Sequence, residues 1–258
     1  MWAPVFWPTS STSNLVYSQP VEIIPAIDLI NGQCVRLSAG DFARQTTYDS
    51  DPVAVARRFA DAGLRRLHLV DLDGARAGRP VNLAVLEAIA AQTSLEIDAG
   101  GGIQTEESLQ QVFRAGARHV TAGSVAVRQP EVVQGWLLAH GAEAIYLGAD
   151  FKGEHILISA WAEQSQLTLR GFIAANLAAG ATTFICTDVS KDGLLQGPAI
   201  ATYGDLMREF PTARFIASGG VSTLADLETL DAAGMYGAII GKALYEGAIQ
   251  LSELQRFL

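Results

Sequence analysis

From residue 21 onward, short apolar runs alternate with longer segments whose apolar positions recur every three to four residues. The runs at 21–28, 67–71, 95–99, 119–122, 144–150, 183–188, 214–217 and 238–240 read as strands. Their continuous apolar character suits a parallel sheet covered on both faces. Helical periodicity is read at 52–62, 82–91, 106–115 and 130–140, then up to 179, near 203–210, at 223–233 and at the C-terminus. Asp51 caps the first of these helices and Pro52 fits its first turn. Cys34 to Leu37 is read as a short strand of the loop after the first run, and residues 151–161 as a hairpin excursion.

Eight strand–helix units admit an open doubly wound sheet or a closed ring. An internal repeat favours the ring. Ala99-Gly-Gly-Gly-Ile-Gln-Thr105 aligns without a gap on Ala217-Ser-Gly-Gly-Val-Ser-Thr223. Gly101 falls on Gly219, Gly102 on Gly220, Leu109 on Leu227, Gly116 on Gly234 and Gly123 on Gly241. Asp28 and Asp150 likewise end the first and fifth runs. The expected fold is α/β: a single (β/α)8 TIM barrel, residues 21–258, made of two matching half-barrels. Residues 1–20 are rich in Ser, Thr and Pro and lack the cationic start of a signal peptide. They read as a flexible extension or a mis-set start, set aside from the fold.

A glycine turn between strand and helix leaves backbone N–H groups free beside the positive end of a helix, which is the chemistry of anion binding. The same glycines also serve any tight turn, because glycine accepts positive φ without strain. The duplication, with Ser124 and Lys242 as added donors, favours two anion sites: Gly102, Gly123 and Ser124 at one, Gly220, Gly241 and Lys242 at the other. The expected substrate is therefore a small molecule with a phosphate at each end.

Net charge is −9 with no Lys/Arg cluster, so nucleic acid is a poor partner, and no apolar run reaches the length of a membrane span. Cys34 and Cys186 lie in different strands and read as free thiols of a reducing cytoplasm. A monomer is expected.

Active sites of such barrels lie at the C-terminal mouth. Asp28 and Asp150, in equivalent places, are the candidate acid–base pair. Asp71, Asp73 and Asp98 are read as helix caps or loop anchors. The four histidines, His68 among them, show no ligand spacing, so no metal is expected. Trp161 reads either as core or as a stacking surface at the mouth.

The ordered motifs resemble one family. They are Ile24-Pro-Ala-Ile-Asp-Leu29, Val35-Arg-Leu37, Gly40-Asp41, His68-Leu-Val-Asp-Leu-Asp-Gly74, Gly100-Gly-Gly-Ile103 and Gly123-Ser124. Ser159-Ala-Trp161, Thr187-Asp-Val-Ser-Lys-Asp-Gly193, Ser218-Gly-Gly220 and Gly241-Lys-Ala-Leu-Tyr-Glu-Gly247 complete them. Together they are similar to the phosphoribosylformimino-aminoimidazole carboxamide ribotide isomerases of histidine biosynthesis, from Glu22 to the C-terminus. The resemblance implies an Amadori rearrangement of an aminoaldose carrying two phosphates, and it implies no cofactor. It makes Asp150 the acid that opens the ribose ring and Asp28 the base that moves the C2 proton. Thr187 and Asp192 would support the reacting sugar, and Trp161 would stack on the aminoimidazole. Gly101, Ser218, Gly219 and Arg36 join the substrate-binding set.

Two motif positions depart from that pattern: Gln104 stands where arginine is common, and Leu194 where threonine is common. The extension has no counterpart. The sister cyclase of the pathway, a bisubstrate isomerase that also takes phosphoribosylanthranilate, and a phosphate-binding scaffold are the competing readings. The first-strand Pro25-Ala-Ile-Asp28 differs from the expected cyclase pattern, and retention of both aspartates argues against a scaffold.

Overall fold

The computed structural model describes residues 20–38 and 41–258. The extension set aside above lies outside these residues except for Pro20, as does Gly40 of the first-loop motif.

The first half contains β1 (Glu22–Ile30), β2 (Gln33–Ser38), β3 (Asp41–Asp49), α1 (Pro52–Asp61), β4 (Arg66–Asp71) and α2 (Leu72–Ala77). It continues with α3 (Leu83–Gln92), β5 (Glu96–Gly100), α4 (Glu106–Arg114), β6 (His119–Ala122), α5 (Ser124–Arg128) and α6 (Pro130–His140). The second half runs through β7 (Ile145–Lys152), β8 (His155–Ile158), β9 (Glu163–Thr168), α7 (Leu169–Ala178), β10 (Thr183–Asp188) and α8 (Ile200–Glu209). It ends with β11 (Arg214–Ser218), α9 (Leu224–Ala232), β12 (Gly237–Ile240), α10 (Lys242–Tyr245) and a 3-10 turn at Leu251–Phe257.

Strands β1, β4, β5, β6, β7, β10, β11 and β12 pair in parallel in that order, and β12 returns to β1 with Glu22 opposite Gly237. The ring is closed: a (β/α)8 barrel. Every residue of β10 and β12 is buried, as expected of strands covered on both faces. The main core lies between barrel and helices, while Ile24, Ala26, Tyr146, Ile185, Ile216 and Ile239 form a separate apolar cluster. At the strand starts, the buried Arg66 bonds Glu22 (2.9 Å) and the Tyr146 hydroxyl (3.0 Å), and His119 stacks on the Tyr146 ring at 4.5 Å. These groups belong to the N-terminal end of the barrel, where buried residues serve stability.

The repeat is conformational as well as sequential. Thr105 and Thr223 cap α4 and α9 with φ/ψ of −134/159 and −136/162, each within a reciprocal capping box. Gly123 and Gly241 precede α5 and α10 with φ/ψ of −95/−103 and −112/−95.

Strand ends differ from the sequence reading in an informative way. Neither Asp28 nor Asp150 ends its strand: β1 runs on to Ile30 and β7 to Lys152, because each continues into an antiparallel excursion. β1 pairs β2 and β2 pairs β3; β7 pairs β8 and β8 pairs β9. β9 replaces the first part of the helix expected to reach residue 179, since its Glu-Gln-Ser-Gln-Leu-Thr is polar and draws its hydrogen bonds from β8. Thr168 then starts α7 by accepting from the Gly171 N–H at 3.1 Å.

Candidate active site

A cavity of about 230 Å³ opens at the C-terminal mouth, and Asp28, Asp150, Thr187 and Asp192 all line it. Asp28 stands on β1 and Asp150 on β7, the first and fifth strands of the ring, so the two enter from opposite sides. Their partners differ. Arg36 of β2 donates through Nη1 to Asp28 Oδ2 at 2.6 Å, and the two side chains are only 13% and 14% exposed. The antiparallel register places Val35 opposite Asp28, which brings the next residue, Arg36, back to the mouth.

Asp150 bonds neutral donors. The Trp161 indole donates Nε1–H to Asp150 Oδ2 at 2.8 Å, and Thr187, its register partner on β10, also hydrogen-bonds to it. Burial pushes the Asp150 carboxyl above the usual range, and these two donors and the nearby His68 offset only part of that. Burial likewise raises Asp192, against the opposing charge of Arg36.

Trp161 is held by an uncommon loop. Ser159, Ala160 and Trp161 all adopt left-handed φ, at 59°, 52° and 69°, which costs roughly 1–2 kcal/mol per residue. The loop is tied down where Ser159 N–H donates to Ser124 Oγ at 2.8 Å and Arg128 bonds Ser159 Oγ at 2.7 Å.

The glycines divide into two kinds. At Gly101 a Cβ would overlap the carbonyl of Asp71, at Gly102 that of Gly74, and at Gly220 that of Gly197. All three have positive φ, as does Gly219, whose Cβ would lie 3.0 Å from the Asp188 carbonyl. Tight backbone approach accounts for these four. Gly123 is different: it lines the cavity and a Cβ there would meet nothing within 4 Å. Its counterpart Gly241 lies under the Arg36 guanidinium, which a Cβ would strike.

Arg36, Gly101, Gly102, Gly123, Ser124, Trp161 and Ser218 line the same cavity as the carboxylates. Gly219, Gly220, Gly241 and Lys242 lie beside it, with Lys242 Nζ donating to the Gly193 carbonyl at 2.9 Å. Gln104 is also a lining residue and packs on Gly78.

Of the three aspartates read as caps or loop anchors, one is corrected. Asp71 does cap α2 and hold its loop, accepting from Gly74, Val81 and Asn82, and Asp73 anchors the Asn31 N–H. Asp98 caps nothing. It is fully buried, bonds His68 Nδ1 at 2.6 Å and accepts from Thr121 Oγ1. His68 lines the cavity, a position that period-two alternation in β4 allowed but that only the β4–β5 register, His68 opposite Asp98, makes visible. Cys34 and Cys186 are free and buried, and burial pushes the Cys34 thiol up to about 12, so neither is poised as a nucleophile.

A closed barrel whose mouth gathers two carboxylates in contrasting environments, beside glycine turns, defines a barrel enzyme. The chain belongs to the histidine biosynthesis protein family, whose model matches residues 22–250. It is 52% identical over 237 residues to a Cytophaga hutchinsonii protein named 1-(5-phosphoribosyl)-5-((5-phosphoribosylamino)methylideneamino)imidazole-4-carboxamide isomerase, covering 92% of this chain and 99% of the relative. A protein of the same name from Parabacteroides distasonis is 51% identical over 92% of this chain and 99% of its own length. For that of Phocaeicola vulgatus the identity is 48%, over 92% and 100%.

Proposed function

We propose that this chain is the aldose–ketose isomerase of histidine biosynthesis named for its relatives, converting an aminoaldose with two phosphoribosyl groups into its ribulosyl form by an Amadori rearrangement. The observation that carries the mechanism is the contrast between two equivalent aspartates: Asp28 paired with Arg36, Asp150 bonded to neutral donors. Asp150, raised by burial, gives its proton to the ribose ring oxygen; the C1–O bond breaks and the nitrogen lone pair forms an imine at C1. The imine acidifies the C2 proton, which Asp28 removes. The electron pair moves to C1–C2, and the resulting enaminol tautomerises to the ketose with a proton added at C1. Atoms and electrons balance with no external oxidant, so the step calls for no cofactor.

Thr187 and Asp192 line the cavity beside these groups and are assigned to hold the reacting sugar. The two phosphates are assigned to the turns at Gly123–Ser124 and Gly241–Lys242, the openness of Gly123 supporting the first and the cation over Gly241 the second. The chain is assigned as a cytoplasmic monomer; no helix among its described residues is long and apolar enough to cross a membrane. A coupled assay on the two-phosphate aminoaldose and on phosphoribosylanthranilate tests the reading: turnover of the first supports it, and none on it removes it.

A further inference from the structure

We infer that Asp98, itself fixed by Thr121, is a positioning residue that holds His68 as an imidazolium in the cavity wall, leaving Nε2–H to donate to an oxygen of the sugar being isomerised. The kinetic part of this inference rests on the isomerase reading; the charge state of His68 does not.

Three adjacent strands build the arrangement. His68 on β4, Asp98 on β5 and Thr121 on β6 face one another within the barrel, and both His68 and Thr121 line the cavity. Asp98 is 0% exposed, and a carboxylate buried to that degree persists only with charged or hydrogen-bonding partners. It has two, the imidazole Nδ1 at 2.6 Å and the Thr121 hydroxyl. Because Asp98 engages Nδ1, the ring is fixed in orientation and Nε2 is the nitrogen left for a ligand.

The surrounding charges decide the proton. Asp28 on β1 acts on His68 from the mouth and favours its charged form, as does Asp150 on β7 once it has given up its proton. Toward the barrel's other end, Arg66 favours an ionised Asp98 and is itself tied to Glu22 and Tyr146. His119 on β6 is pushed down by burial, with Arg66 adding to the effect, and its Nδ1 is 2.7 Å from the Glu143 carbonyl, so it does not compete as a cation. Burial alone would lower His68, yet the charge and hydrogen bond of Asp98 outweigh it and raise the imidazole. Burial alone would raise Asp98, yet His68, Thr121 and Arg66 bring it down. An imidazolium so placed donates a charge-assisted hydrogen bond without carrying the transferred proton, which remains with Asp28 and Asp150.

The test is an NMR titration of the imidazoles in the intact protein, with His119 as internal control. His68 is expected to titrate above the roughly 6.5 of an unperturbed histidine, and Asp98→Asn to bring it below that value. Thr121→Val takes a donor from the Asp98 carboxylate, which then leans more on the imidazolium, so His68 should stay raised in that variant. With substrate, Asp98→Asn should lower kcat by roughly 10- to 100-fold, the worth of one charge-assisted hydrogen bond. That deficit should shrink as pH falls from about 8 to about 6, where the imidazolium is restored. A merely structural role would leave the deficit flat with pH. A wild-type His68 that titrates at or below 6.5 overturns the inference, as does a pH-independent deficit. If Asp98→Asn fails to fold, the wild-type titration and Thr121→Val decide alone. Absence of all turnover alongside a raised His68 overturns the isomerase reading and leaves the charge state standing.

Discussion

Arg36 reaches back from β2 to bring Nη1 within 2.6 Å of Asp28 Oδ2, whereas the equivalent Asp150 receives the Trp161 indole at 2.8 Å. Pseudo-symmetry thus supplies two carboxylates in matching places and the two excursions, β2–β3 and β8–β9, make them chemically unlike. The difference between their partners lives in the loops.

A pH profile checks the Trp161 contact. Burial raises Asp150 and the indole N–H works against that rise. Trp161→Phe removes a donor that favours the carboxylate, so the Asp150 pKa should climb further. An acid is active while protonated, so activity is lost as pH rises through its pKa; the alkaline limb of kcat should therefore move to higher pH in the variant. A limb that stays in place, or moves down, contradicts the contact's role.

The two cavity-side glycines should respond differently to a methyl group. In Gly241→Ala the new Cβ strikes the Arg36 guanidinium, so the ion pair with Asp28 has to shift, costing roughly 1–3 kcal/mol as overpacking does. Gly123→Ala meets nothing within 4 Å and should change stability by only about 0.5 kcal/mol, while raising KM because the methyl occupies the ligand's space. Thermal melts and kinetics of both variants test this; equal destabilisation contradicts it.

Anion binding is checked by crystallography. Crystals grown in sulfate or phosphate should hold an anion at Gly102, Gly123 and Ser124, and a second at Gly220, Gly241 and Lys242. Anions bound elsewhere with both turns empty would remove the two-phosphate assignment.

Specificity follows from charge. Phosphoribosylanthranilate brings a carboxylate to a cavity that already holds Asp28, Asp150 and Asp192, with Gln104 where arginine is common. Arg36, which also carries the Asp28 ion pair, and Arg44 of β3 are the cations that would have to compensate. Activity on that substrate should be absent or nearly so, measured on purified protein and by complementation of a tryptophan auxotroph; comparable efficiency on both substrates contradicts this.

Much of the barrel was legible in the sequence because its signals are local. Apolar runs gave the eight parallel strands, and the ungapped glycine repeat gave the two halves, down to the matching caps at Thr105 and Thr223. The excursions were harder. β3 and β9 are polar and exposed, so no periodicity marks them, and their pairing is supplied by β2 and β8. Helices α2 and α5, of 6 and 5 residues, are too short to show a helical period. At the site, Asp28 and Asp150 stood out through the repeat, whereas the bond from His68 to Asp98 joins residues 30 apart through strand register alone. The four glycines at 101, 102, 219 and 220 looked like ligand contacts and are explained as well by the backbone beneath them.

The most direct test of the account compares Asp28→Asn, Asp150→Asn and the parent chain for turnover of the two-phosphate aminoaldose. Both variants keep the size and fold of the carboxyl they replace and leave the glycine turns untouched. Asp150→Asn should melt near the parent and Asp28→Asn below it, because that change leaves the buried Arg36 guanidinium without its ion pair. Each should bind substrate with similar affinity, yet lose roughly 10²–10⁴ in kcat, the range for a positioned acid or base. Near-parental turnover in either variant contradicts the division of acid and base between Asp150 and Asp28.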